Sequence, residues 1–432
     1  MDPSVTATIA EAHRREWGFV LAAAARITGD LGDAEDCAQE AFAQALTRWT
    51  SQGVPANPGA WLTTVARRRA MDLLRRHDQL RDRLPLLLGT EVVPAPDATI
   101  DHAPDVPDDR LRLIFTCCHP ALSPDARVAL TLRLLCGLST TDVACAFLVS
   151  EPTMAARITR AKKKIAAARV PYCEPPASEL RERLDAVLDV VHLLFTAGHT
   201  APAGDRLQRR ELVERALHLA RMLHDLLPDQ PGPAGLLALI LLTDARRHTR
   251  ASDDGKLILL ADQDRSQWDR AEIDEGLDLA RRALRGRPPT RYALMAAIAA
   301  VHARSAQWRA TDWVRITKLY DTLMQVWPSP VVALNRAVAI SQAHGPEAGL
   351  EALRPLNDEP QLVGYHYLAA TRADFLRRLG QTCDARLAYH EALTFAQNAA
   401  ERAFLEDRLR ELDGLEDTGV VQNLGHAGGG AG

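Results

Sequence analysis

No stretch of this 432-residue chain approaches the length of a membrane span. The longest apolar runs, such as 235–242, fall far short of the ~20 residues that a bilayer-crossing helix needs. The first residues hold Asp2, Glu11 and the pair Arg14-Arg15, with no apolar stretch leading to a small-residue cleavage site, so a cytoplasmic protein is expected. Cysteines number seven, an odd and scattered set without a Cys-x-x-Cys pair. That excludes a disulfide framework, argues against a thiolate zinc knuckle and leaves reduced, mostly buried thiols as the expectation. Proline and glycine, 25 of each, are too few and too dispersed for a fibrous or low-complexity chain. The Gly-rich phosphate loop, the G-x-S-x-G elbow and the H-E-x-x-H motif are all missing, so the sequence predicts no enzyme, no cofactor and no metal.

What is present is a chain with 47% apolar and 25% charged residues, enough for packed cores and, from its length, about three domains. Net charge is −4, unevenly spread. Through Val170 there are 21 Lys+Arg against 20 Asp+Glu, hence +1, and the remainder has 31 against 36, hence −5. Six basic groups and no acid lie in 157–169, whereas 97–109 holds five aspartates and no Lys or Arg. A mildly acidic total gives no general attraction to nucleic acid, so such binding must rest on patches.

Hydrophobic periodicity is helical almost throughout, which predicts an all-α fold. A first helical block covers about 9–84, broken at 50–59 by TSQGVPANPG. Residues 85–107 read as a flexible acidic linker rich in Pro and Asp. A second block spans 108–170, prolines at 171, 175 and 176 punctuate the chain, a long helical region runs over 178–412, and 413–432 is expected to be disordered. Within the last region 334–353 and 370–393 share a plan: an Arg-Ala pair opening a helix, a glycine turn (Gly345, Gly380), and a second helix closing on Ala-Leu. Their offset of 35–36 residues is close to the 34-residue tetratricopeptide (TPR) period, so this region is expected to be TPR-like, with unrelated hairpins as the alternative.

Two constellations carry function. At 139–165, Ser139 and Asp142 form a capping-box pattern opening a short helix, Thr140–Phe147, with Val143, Ala144 and Phe147 inward. Ser150 is placed to cap a second helix whose Met154, Ile158, Ala161 and Ile165 make one apolar stripe. Thr153, Ala156, Arg160 and Lys163 project the other way, with Arg157 on the flank, as a helix docking in the major groove requires. A solvated surface helix is the bland alternative. At 61–76, Leu62, Ala66, Ala70 and Leu73 give a buried side, and Arg67, Arg68, Arg75 and Arg76 a basic one. The preceding helix, 32–46, has an acidic start (Asp33, Glu35, Asp36, Glu40). Trp49 and Trp61 flank the loop between them, and rings beside a basic groove suit unpaired bases.

With these residues in place, the chain resembles bacterial RNA polymerase sigma factors of the extracytoplasmic-function (ECF) type, in the sigma-70 family. GDAEDCAQEAF (32–42) resembles the region 2 segment that packs on the polymerase clamp helices, which implies polymerase contacts for Asp33, Asp36, Gln39 and Glu40. WLTTVARRRAMDLLRR (61–76) resembles the segment that melts and reads the minus-ten element, implying roles for Trp61, Arg67, Arg68, Arg75 and Arg76. SEPTMAARITRAKKKI (150–165) resembles the minus-thirty-five recognition helix of region 4, implying DNA contacts for Thr153, Arg157, Arg160, Lys163 and Lys164. Ala155 and Ala156 depart from the polar residues common there, so direct base readout is expected to be sparse. The stretch 108–149, with VVHLLFTAGH, LADQDRSQWDR and PSPVVALNRAVA further on, resembles the ECF subgroup with a TPR-like extension. The resemblance implies RNA polymerase core and promoter DNA as partners, no membrane, and a regulatory C-terminal region with a protein partner of its own. It also leads to an expected self-restraint, in which the acidic 97–109 segment and the net −5 C-terminal region oppose DNA binding by the free protein.

Two other clusters read as structural. Cys117-Cys118-His119 fits a buried helix end, since adjacent cysteines on a helix point about 100° apart. Asp262, Asp264 and Asp269 around Trp268 lack a calcium-loop spacing and suggest caps and salt bridges with Arg265 and Arg270. The rival readings are a helix-turn-helix regulator with a TPR-like sensor that never joins polymerase, and an enzyme built on the Asp262/Asp264 cluster.

Overall fold

A computed structural model of the protein describes residues 3–88, 109–147, 149–170, 172–201, 204, 207–252 and 255–427. Most of the expected linker, from residue 89 on, lies outside them. About 77% of the chain is helical, and among the described residues pairing of extended backbone is limited to two isolated bridges, Gly204 with Asn398 and Ala251 with Leu257. Two compact units form, 1–193 and 194–432.

The first unit opens with three helices, α1 (Pro3–Thr28), α2 (Leu31–Gln52) and α3 (Pro58–Leu88). The Asp30 carboxylate starts α2 by accepting from the amides of Gly32 (2.7 Å) and Asp33 (3.0 Å). Gly53, at φ +83°, ends it. The shared interior is rich in alanine, with Ala22 and Ala24 of α1, Ala34, Ala38 and Ala41 of α2, and Ala66 and Ala70 of α3 all fully buried. Small side chains let three helices approach closely, and Trp17, Phe42 and Trp49 fill the remaining space.

The second block contains α4 (Asp109–Cys117), α5 (Pro124–Leu130) continuing into a π-helical turn (Thr131–Leu135), α6 (Thr140–Ala146) and α7 (Glu151–Ala167). The predicted capping box is formed: the Asp142 amide donates to Ser139 Oγ (3.0 Å), while the Asp142 carboxylate accepts from the Ser139 amide (3.2 Å) and hydroxyl (2.6 Å). Met154, Ile158, Ala161 and Ile165 are buried as one stripe of α7. Ser150 precedes α7 but does not cap it with its side chain; its hydroxyl pairs with that of Thr153 at 2.8 Å. Phe147, expected to point inward, is only half-buried, and the Arg157 guanidinium lies over its ring at 5.4 Å. Cys117 and Cys118 end α4 fully enclosed, where burial pushes the Cys118 thiol up to about 11.

The boundary between the units falls inside α8 (Ala177–His199). Then follow α9 (Arg210–Leu226), α10 (Pro231–Asp244), α11 (Arg270–Ala283), α12 (Arg291–Arg304), α13 (Trp313–Val326), α14 (Pro330–His344), α15 (Pro346–Leu353), α16 (His366–Arg378), α17 (Thr382–Phe395) and α18 (Ala399–Ala427). From α9 on, each helix packs on its successor, the nearest-neighbour logic of helical-repeat proteins. The apolar run noted in the sequence is α10, buried on every side from Gly232 to Leu242, so its lack of a polar face reflects a core position. The two similar segments form hairpins α14/α15 and α16/α17, turning at Gly345 (φ +100°) and Gly380 (φ +75°), backbone geometry that favours glycine. Arg336 and Arg372 do not open their helices as expected. They sit in mid-helix, each beside a fully buried alanine (Ala337, Ala373), because the helices begin six residues earlier than the Arg-Ala pair suggests. The last helix continues to Ala427, past the expected limit at 412, in a stretch without proline; among the residues whose side chains are described, Leu412 is the last in the core.

Candidate functional site

On α2 the side chains expected to meet a partner form one open edge. Asp36, Gln39 and Glu40 are exposed and Asp33 is half-exposed. Partial burial, with the carboxylates of Asp30 and Asp36 nearby, pushes Asp33 upward. Glu35, between them in sequence, points the other way and is buried, at 5% exposure. It lies four residues after Leu31 and three before Ala38, on the apolar side of the helix, and that placement was the available signal that it has a separate task.

The α3 arginines at 67, 68, 75 and 76 are all exposed. Arg75 lies 3.5 Å from Asp72, and Arg76 Nε donates to the Asp72 carbonyl at 3.3 Å. Trp61 is half-buried, edge-on to the buried Trp49 at 5.5 Å. Only one of the two flanking tryptophans can therefore meet a base. A hollow of about 280 Å³ opens between α1, α3 and the start of α4, lined by Phe19, Thr63, Arg67 and Arg110. Phe19 is 41% exposed, with the Arg110 guanidinium 3.6 Å from its ring centre. The sequence reading missed both residues, since a lone aromatic in α1 carries no motif.

Along α7, Thr153, Arg160, Lys163 and Lys164 are exposed, together with Ala155 and Ala156. Arg160 Nε donates to the Ala156 carbonyl at 3.2 Å. Arg157 is half-buried and pairs with Asp125 at 3.4 Å, so one expected DNA contact is already engaged within its own domain.

The two helical blocks, expected as separate modules, share the first unit, and α1 joins them. Trp17 Nε1 donates to the Leu134 carbonyl of the π turn at 3.0 Å, and a side chain on Gly137 would meet the Trp17 ring at 2.9 Å. The Tyr172 hydroxyl reaches the carbonyls of Ala22 (3.2 Å) and Asp109 (3.1 Å). At the centre of the contact the Glu35 carboxylate pairs with Arg133 and with Lys162 of α7, and also accepts from Gln39 Nε2 at 3.2 Å.

In the second unit two members of the aspartate cluster, Asp264 and Asp269, are helix caps. Asp264 accepts from the Ser266 amide (2.9 Å) and hydroxyl (2.6 Å), and Asp269 from the Glu272 amide (3.1 Å). The cation beside Asp269 is Arg247 at 3.7 Å, in place of the expected Arg265 or Arg270. Arg265 is drawn elsewhere: its guanidinium donates to the carbonyls of His302 and Ser305, both at 2.7 Å. Among the described residues no group of three or more His, Cys, Asp or Glu is placed to hold a metal, and no helix is long and apolar enough to cross a membrane.

A three-helix body with an acidic and a basic edge, followed by a basic helix-turn-helix, defines a DNA-binding transcription initiation factor. Residues 13–79 match Sigma-70 region 2 and residues 112–165 match Sigma-70, region 4. The chain thus carries sigma-70 regions 2 and 4, which it shares with ECF sigma factors, and a C-terminal extension in which residues 183–284 match a family of unknown function, DUF6596. An uncharacterized protein of Rhizobium meliloti is 40% identical over 394 residues, covering 91% of this chain and 93% of that one. The ECF RNA polymerase sigma factor SigJ of Mycobacterium tuberculosis is 35% identical over 150 residues, 34% of this chain and 47% of SigJ. The probable ECF RNA polymerase sigma factor SigI of the same organism is 28% identical over 170 residues, 39% of this chain and 58% of SigI. The chain thus aligns with about half the length of these two sigma factors.

Proposed function

We propose that the protein docks on core RNA polymerase through Asp33, Asp36, Gln39 and Glu40, and directs initiation by gripping the promoter at two places. Trp61 and the arginines of α3 would hold the unpaired minus-ten strand, with the hollow beside Phe19 and Arg67 receiving an extruded base. Extrusion costs a few kcal/mol, which backbone arginines and polymerase contacts offset. The exposed face of α7, with Thr153, Arg160, Lys163 and Lys164, would enter the major groove of the minus-thirty-five element, and Arg157 would join after leaving Asp125. The observation that carries this reading is the coexistence of an open acidic edge on α2 and open basic faces on α3 and α7 in one unit. Run-off transcription with core polymerase and this protein tests it: promoter-dependent product supports the reading, and duplex binding without product favours the polymerase-independent regulator.

Free protein would be self-restrained. Glu35 neutralises Lys162, so the expected brake from the acidic linker gains a component built into the fold. Nanomolar binding of the isolated full-length protein to promoter duplex at physiological salt would overturn this. The C-terminal helical array is assigned a regulatory role, as a built-in inhibitor or a required contact. Removing the chain after residue 172 separates these, with higher output for the inhibitor and loss of output for the contact.

A further inference from the structure

The second unit holds a cleft of about 390 Å³, open on one side and framed by α10, α12, α13 and α14. Its walls are mostly aliphatic, with the Trp268 indole on one side and the polar groups of Thr243, Arg246, His302, Tyr320 and Asn335 converging on it. Among the described residues no aspartate or glutamate lines it. The nearby cations are otherwise committed. Arg247 pairs with Asp244, Asp269 and Glu272, Arg250 with the His199 carbonyl and Thr200, and Arg265 with two carbonyls at the end of α12. Arg246 is the exception: among the described residues its guanidinium, on a half-buried side chain, has neither a hydrogen bond nor an ion pair.

A half-buried guanidinium that faces a largely apolar cavity without a counter-charge is poorly compensated unless something supplies one. Burial, with Arg265 close by, lowers Arg246 only to about 10, so it stays charged at neutral pH. Burial and the same two arginines hold His302 down to about 4, so the imidazole adds no second charge. Tyr320 is pushed up to about 12 by burial and keeps its proton to donate; like Thr243, its hydroxyl has no partner among the described residues.

We propose that this cavity binds a small organic carboxylate, its anionic end held by Arg246 and Tyr320 and its apolar body against Trp268 and the aliphatic walls. One uncommitted planar cation matches one carboxylate, which it can engage through two parallel hydrogen bonds. The volume lies at the small end of the range for ligand pockets, about 300–1,000 Å³. Because the polar groups come from the end of α10 and from α12, α13 and α14, an occupant would tie four helices together and stabilise the unit.

The test uses the full-length protein with benzoate and 4-methylpentanoate as probes, benzamide as the uncharged analogue and inorganic phosphate as the alternative anion. Thermal shift and calorimetry should show saturable binding of the carboxylates, a rise in the melting temperature of the C-terminal unit, and no response to benzamide or phosphate. Arg246→Met should weaken binding at least about tenfold, the discrimination of a charge-assisted bidentate pair, and should raise the melting temperature of the unliganded protein. Tyr320→Phe should weaken binding while leaving the fold intact, and Arg354→Met, on the surface, should change neither property. The proposal is overturned if neither carboxylate binds up to about 10 mM, where a weak ligand would still shift the melting temperature. It is equally overturned if phosphate or benzamide binds as well, if Arg246→Met binds normally, or if that variant lowers the unliganded melting temperature.

Discussion

Glu35 is the sharpest place to perturb this molecule. Its carboxylate is 7% exposed, and its partners Arg133 and Lys162 are 18% and 23% exposed. Glu35→Gln keeps the shape and one acceptor oxygen but removes the charge. Breaking one side of a fully buried ion pair costs about 3–5 kcal/mol. Here both cations lie near enough to solvent to recover part of their hydration, so about 2 kcal/mol is expected, weighing partial exposure against full burial. The loss should fall on the contact between the two blocks of the first unit, since only that contact depends on the pair. Amide exchange in 131–135 and along α7 should speed up about 30-fold, as 2 kcal/mol of local opening implies. Exchange in α14–α17 should not change. A cycle with Lys162→Met should give a coupling of at least about 1 kcal/mol, as for residues in direct contact. Unchanged exchange in α7, or additive single and double variants, would refute the reasoning.

The other expectations concern the open faces and one buried base. Asp36→Asn with Glu40→Gln should cut run-off transcription at least about tenfold, as loss of an interface anchor does, while duplex binding stays within about twofold. Arg160→Ala should lower duplex affinity and reduce the salt slope by about one counterion, measured by titration at several salt concentrations; an unchanged slope would place Arg160 away from the phosphates. For His302, folding lowers the value from 6.5 to about 4, so the unfolded chain binds more protons between those limits. Stability of the second unit is thus full above about pH 6.5 and falls as pH drops toward 4, by on the order of 3 kcal/mol from this group. Urea titrations of the wild type and His302→Gln across that window should differ in slope, and parallel profiles would contradict the assignment.

Local rules made much of this architecture readable. The apolar stripe of α7 and the Ser139–Asp142 box follow from spacing alone and are formed as the sequence implies, and so is the buried side of α3 at Leu62, Ala66 and Ala70, whereas the expected Leu73 is only half-buried. What stayed hidden depends on residues far apart in the chain. The Glu35–Lys162 pair spans 127 positions, and Trp17 meets Leu134 across 117, so neither leaves a periodic trace. Trp49 looked as available as Trp61, yet its place beneath the three-helix body buries it. Arg157 read as free because its partner Asp125 lies in a different helix, and the cation beside Asp269 proved to be Arg247 because Arg265 bonds to the end of α12.

The π turn at Thr131–Leu135 has a further consequence. Its bonds, such as Cys136 amide to Thr131 carbonyl at 3.2 Å, skip one residue more than an α-helix does. A π bulge is in effect a single-residue insertion, absorbed in the widened turn so that the chain on either side keeps its angular phase. The Leu134 carbonyl can therefore face the Trp17 indole, and Arg133 face Glu35, in a chain carrying one residue more than an α-helix of the same reach would hold. Homologous chains one residue shorter in this five-residue segment should regain α geometry there and keep the same arrangement.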